Sequence, residues 1–169
     1  MNNISEKNRK ILKSILKLLI KVIIILLFII LMLTFIFGVH RLKGYNMYPS
    51  LKDGDLCITY KLDDYYANDV VTYNINGELK FGRIIAREGD TVDGDINGII
   101  LNGARVNEDS YYPTILLNTN LSLPITCNKG EYIILNDYRD DTNDSREYGI
   151  ITEDMLKGKL IFIFRRREF

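Results

Sequence analysis

Residues 70–87 read VVTYNINGELKFGRIIAR. β-Branched and aromatic residues crowd two runs, Val70 to Ile75 and Glu78 to Arg87, on either side of Asn76-Gly77. Asn-Gly tolerates positive φ at both central positions of a type I′ turn, and the twist of that turn matches paired strands, so an antiparallel hairpin is predicted here. Its neighbours follow the same pattern. Leu56 to Tyr60 comes after a turn signal at Asp53-Gly54-Asp55, Ile99 to Leu101 and Ala104 to Val106 flank a second Asn-Gly at Asn102-Gly103, and Tyr132 to Leu135 and Leu160 to Phe164 complete the set. A short turn over Thr152 to Lys157 is the one helix expected in this part of the chain. There is no internal repeat and no glycine-rich phosphate loop. These features predict a mostly β, antiparallel domain over residues 44–169.

Upstream the pattern changes. Val22 to Val39 carries eighteen residues without a charge, extended past Lys21 by Leu18, Leu19 and Ile20. About 20 residues at 1.5 Å each cross the ~30 Å hydrocarbon core, so residues 18–39 are expected to form a membrane anchor behind a basic segment at 1–17. The run exceeds a typical signal-peptide core, and Gly38-Val39-His40 is a poor cleavage site. Residues 1–43 carry a net charge of +7, which leaves −7 for the remainder of a chain that is neutral overall. A basic, apolar head on an acidic body points to a protein tethered to membrane lipid, with no nucleic-acid partner. Six basic residues precede the uncharged run at Val22, and the positive-inside bias predicts a single-pass plasma-membrane protein with a cytoplasmic N-terminus and an extracytoplasmic body.

The only histidine, His40, falls at the outer end of this expected span. A Ser-His-Asp triad or a histidine-based zinc site is therefore not expected, nor is any cofactor or metal. Cys57 and Cys127, seventy residues apart, exclude a CxxC motif and are compatible with a disulfide or with two buried thiols.

Four stretches of the body, in order, resemble the boxes of the type I signal peptidases, membrane-anchored serine peptidases that remove signal peptides from exported proteins. Gly44-Tyr45-Asn46-Met47-Tyr48-Pro49-Ser50-Leu51 resembles the nucleophile box G-x-S-M-x-P-T-L. Asp53-Gly54-Asp55 with Asn68-Asp69-Val70-Val71 resembles the next box, and Gly82-Arg83-Ile84-Ile85-Ala86-Arg87-Glu88-Gly89-Asp90 resembles the base box K-R-x-x-x-x-x-G-D. Asn136 to Arg146, NDYRDDTNDSR, is similar to the last box, G-D-N-R-x-x-S-x-D-S-R. The resemblance implies the family's coiled antiparallel β domain, with Met47, Tyr48, Pro49, Arg83, Asp144, Ser145 and Arg146 around the former cleft. Asp144 and Arg146 are expected to pair, with Arg83 or Arg139 as further partners.

The departures from the family pattern concern the chemistry itself. The family uses a serine hydroxyl as nucleophile and a lysine amine as its base. Here Asn46 stands at the serine position and Gly82 at the lysine position. A carboxamide nitrogen is delocalised into its carbonyl and has no hydroxyl proton to surrender; glycine has no side chain at all. The chain thus resembles the catalytically degenerate homologues of Gram-positive pilus loci (the SipA type). That resemblance implies a non-catalytic chaperone or scaffold in pilus assembly, with pilin subunits, their sortase and signal-peptide segments as partners. The alternative is an unorthodox signal peptidase using Ser50 and Lys80. If the groove is intact, combining Asn46→Ser with Gly82→Lys is expected to revive cleavage. Arg165-Arg166-Arg167 is read as a solvated end or a contact with anionic headgroups.

Overall fold

A computed structural model describes residues 2–106, 114–116 and 119–165, with side chains from residue 9 onward. The chain divides into two units, residues 1–36 and 37–169. The first is a single helix, α1, Asn2–Ile36. Its Arg9–Ile36 portion is long and apolar enough to cross a membrane, at about 42 Å for 28 residues, and its large apolar side chains, Leu26, Phe28 and Leu31 among them, are uncovered. The helix ends earlier than the apolar composition suggests. Phe37, Gly38 and Val39 begin a strand, β1 (Phe37–Arg41), so His40 sits on a strand of the body and not at the end of the span.

The body is built from antiparallel pairings throughout. After β1 come β2 (Leu56–Tyr60), β3 (Val70–Ile75), β4 (Glu78–Ala86), β5 (Thr91–Asp95), β6 (Gly98–Leu101), β7 (Ala104–Arg105), β8 (Ile125–Thr126), β9 (Glu131–Leu135), β10 (Ile151–Thr152) and β11 (Leu156–Phe164). A seven-stranded sheet runs β1-β2-β11-β3-β4-β9-β10, and a four-stranded sheet runs β7-β6-β5-β8. Both Asn-Gly turns behave as expected: Asn76 and Gly77 have φ of 52° and 82°, Asn102 and Gly103 of 52° and 79°. Strands β1, β5, β8 and β10 were not legible in the apolar pattern. The expected turn near 152–157 is a 3₁₀ turn over Glu153–Met155, and a further short helix, α2, spans Ser145–Tyr148.

Three apolar clusters hold the body together. Val71, Tyr73, Ile84, Ile134 and Ile151 fill the centre of the large sheet. Ala86, Val92, Ile99, Leu116 and Ile133 join it to the small sheet. Leu42, Met47, Leu51, Cys57 and Phe81 anchor the segment after β1. Alternation along β4 makes this division possible, because Phe81 and Ile84 project from opposite faces and reach different clusters. Cys57 and Cys127 are free thiols in separate clusters, and burial pushes each up to about 11.

Arg165 belongs to the fold. Its Nε and Nη2 donate to the buried Asp55 carboxylate, the latter at 2.8 Å, and Nη2 also donates to the Ser50 carbonyl at 3.0 Å. Arg166 and Arg167 lie outside the described residues. The hydrogen bond from Arg165, with one from the Lys52 N–H, holds the Asp55 carboxyl below its usual range against the opposing effect of burial. A depressed carboxylate pKa stabilises the fold above the unfolded-state value, and that contribution is lost as pH falls through the folded-state value. Arg165→Ala is therefore expected to cost about 1 kcal/mol at neutral pH, because the guanidinium is itself half-exposed and screened by solvent although its partner is buried. The deficit should close as the medium is acidified below the ordinary carboxylate range, as read by urea unfolding of both proteins. An undiminished gap in acid would assign the effect to packing.

Candidate functional site

The segment 136–146 folds onto a buried ion pair. Asp144 caps the N-terminus of α2 by accepting from the Arg146 N–H at 2.9 Å, and its two oxygens also take Arg146 Nε at 2.9 Å and Nη2 at 2.7 Å. Arg146 donates further to the carbonyls of Arg139 and Asp141, both at 2.6 Å. Asp144 accepts the Asn136 N–H at 2.8 Å, and the Ser145 hydroxyl accepts the Ile134 N–H at 2.9 Å. Beyond their own pairing, the two residues bond Asn136, Arg139 and Asp141 and so hold the loop in shape after β9. Arg83 takes a different partner from those expected. It makes a bidentate bond to Asp137, at 2.7 and 2.6 Å, and donates to the Asn68 carbonyl and the Ser50 hydroxyl. Asp137 was missed because it lies in a loop and its mate is 54 residues away on β4.

Asn46 is the next link. Its Nδ2 donates to the Phe81 carbonyl at 3.0 Å and to Asn136 Oδ1 at 3.2 Å, while its backbone carbonyl accepts the Tyr138 N–H at 2.9 Å. Met47 beside it is wholly buried, whereas Tyr48 and Pro49 are exposed. At Gly82 a Cβ would stand 2.4 Å from Ile134 Cγ2 and 3.2 Å from Tyr73 Cε1. The space a side chain needs at this position is already filled. Tyr73 is itself fully buried, its hydroxyl has no hydrogen-bond partner among the described residues, and burial pushes its pKa up.

Beside Asn46 lies a groove of about 650 Å³. Residues 39–46 form one wall, residues 78–81 the other, and Asn136, Asp141 and Asn143 close it. The second wall is a strand edge. β4 pairs with β3 along residues 78–83, but with β9 only along 83–86, so the first half of β4 has one edge without a neighbouring strand among the described residues. Ile84 exchanges backbone bonds with Asn68 and Asp69 on the β3 side, and strand alternation therefore turns the Leu79 and Phe81 backbone groups toward the groove. The T-shaped contact of His40 with Phe81, 6.3 Å between centroids, brings β1 to the same groove. Burial, with help from Lys61, lowers the His40 pKa, which favours the neutral imidazole.

Ser50 and Lys80 are not brought together. The Ser50 hydroxyl is held by Arg83, and Lys80 Nζ donates to Asn143 Oδ1 at 3.1 Å, pairs with Glu78 at 3.6 Å and lies over the Tyr148 ring. Lys80 and Arg83 are three residues apart on β4, hence on opposite faces. Among the described residues, no group of three or more His, Cys, Asp or Glu side chains is arranged to hold a metal ion.

The family model described as "Signal peptidase, peptidase S26" matches residues 15–165. The chain belongs to the signal peptidase family. Signal peptidase IB of Staphylococcus aureus (strain Mu50) is 29% identical over 151 residues, covering 77% of this chain and 78% of that protein. Signal peptidase I T of Bacillus subtilis (strain 168) is 31% identical over 146 residues, covering 77% and 75%. A crystal structure of a signal peptidase I from Enterococcus faecalis V583 aligns over 60% of this chain and all of its own, at 21% identity and a TM-score of 0.49. Within this signal peptidase body, residues 46 and 82 are the two positions that the sequence resemblance set against the family's serine and lysine. An amide occupies the first, tied at its nitrogen, and neighbouring side chains occupy the space of the second.

Proposed function

We propose that this signal peptidase family member holds extended peptide segments in the groove between residues 39–46 and 78–81 and does not hydrolyse them. The observation that carries the reading is the filling of the Gly82 position by Ile134 and Tyr73, which leaves no room for a lysine there, together with the hydrogen-bonded Asn46 amide. An amide has no proton it can give up as nucleophile, while a strand edge binds through backbone groups that need no dyad. The exposed apolar helix supports a single-pass anchor, and the basic residues before it favour a cytoplasmic N-terminus and a groove outside the membrane. Signal-peptide ends, the segments handled by the family, are the first candidate ligands. A role beside pilins and their sortase in pilus assembly is the narrower form of the same proposal, and it rests on the Asn46 and Gly82 departures alone.

The names of the relatives favour a second reading, an active signal peptidase, which would need an oxygen nucleophile other than residue 46. Incubating the full-length protein in detergent with an exported preprotein, and separately with a pilin precursor, distinguishes them. Binding without time-dependent cleavage is the expected result, and retention of the pilin precursor alone would favour the pilus form. Cleavage by the wild type that disappears in Ser50→Ala would establish the second reading, and failure to bind either substrate would remove the first.

A further inference from the structure

The orientation of the Asn46 carboxamide is dictated by its neighbours. Asn136 Nδ2 donates to the Asp141 carbonyl at 3.1 Å, so its Oδ1 is the atom that faces Asn46. The Phe81 carbonyl is likewise only an acceptor. Both partners of the Asn46 amide therefore demand a nitrogen, and the oxygen must be the other end. That oxygen receives no hydrogen bond from a described residue, and Asn46 is half-exposed and lines the groove. Asn46 thus consumes one acceptor of the open β4 edge, the Phe81 carbonyl, and offers another in its place, shifted outward by the width of the amide.

We infer that Asn46 is a peptide-recognition residue, whose Oδ1 accepts a backbone N–H from the extended segment that pairs with the open edge of β4 at Leu79. A serine at this position would be a hydroxyl without that reach. An amide pinned by two hydrogen bonds presents its oxygen in one direction and loses little side-chain freedom when the peptide arrives. The position that the family uses for attack on a carbonyl carbon here contacts the neighbouring amide hydrogen. This inference rests on the groove reading above and assigns one contact within it.

The test uses the full-length protein in detergent and a fluorescein-labelled peptide spanning the end of a signal peptide, read by anisotropy. A series of ester analogues replaces each amide N–H of the peptide in turn by oxygen. One ester is expected to weaken binding to the wild type by about three- to tenfold, the effect of one hydrogen bond. The same ester should cost Asn46→Ala little, because the acceptor is already gone. Asn46→Ser, which installs the residue of the family pattern, repeats the comparison should the alanine variant not fold. If every ester costs the wild type and both variants alike, the inference is overturned while the groove reading stands. If the parent peptide does not bind the wild type at all, the groove reading fails and takes the inference with it.

Discussion

Asp144→Ala is expected to destabilise the body by about 3–5 kcal/mol, the penalty of leaving a buried charge without its counter-charge. Arg146 is 3% exposed and Asp144 wholly buried, so water cannot replace the missing carboxylate. The substitution also strands the Asn136 N–H and removes the cap of α2. Asn136 orients the Asn46 amide, so peptide binding should fall with stability even though Asp144 is not among the groove-lining residues. Asp144→Asn separates the contributions: it keeps an oxygen for the Asn136 N–H and loses the charge. Urea unfolding of the three proteins measures the difference. A loss below about 1 kcal/mol for Asp144→Ala would show that the loop does not depend on the pair.

The second large effect concerns placing the serine and lysine of the family pattern at residues 46 and 82. Asn46→Ser with Gly82→Lys is expected to give a destabilised protein without cleavage, contrary to what the boxes alone suggest. A lysine Cβ at residue 82 would lie 2.4 Å from Ile134 Cγ2, and relieving this overlap in the packed centre of the sheet costs about 1–3 kcal/mol. Removing the obstructing methyl with Ile134→Ala, in addition, should admit the side chain. The amine would then stand among Tyr73, Ile84 and other apolar neighbours, and desolvation would lower its pKa toward the neutral form a base requires. Detectable preprotein cleavage is expected only from the triple variant. Full activity in the double variant would show that the core yields readily at this point.

Much of the architecture can be read from local chemistry. Asn76-Gly77 and Asn102-Gly103 adopt positive φ because few other residues do so cheaply, and the flanking runs alternate with period two. β1 was hidden. Phe37-Gly38-Val39 continues an apolar run that suits a helix equally well, and only pairing with β2, Phe37 to Tyr60 through Arg41 to Leu56, selects the strand. Gly38 lies where a Cβ would be 2.5 Å from both His40 Nε2 on its own strand and Thr59 Oγ1 on the neighbouring one. α2 was hidden for a different reason: four residues carry no helical period, and a buried carboxylate supplies the cap.

That Asn46 carries no hydroxyl and Gly82 no amine is legible from the sequence alone, because those are properties of covalent structure that no folding can alter. The direction of the Asn46 amide, set by acceptors 35 and 90 residues away, arises only when β4 and the 136–146 loop converge. The same is true of the volume at Gly82, which belongs to Ile134 and Tyr73 on the two strands flanking β4. Side-chain chemistry is carried along the chain, whereas free space and hydrogen-bond direction are properties of what packs beside it.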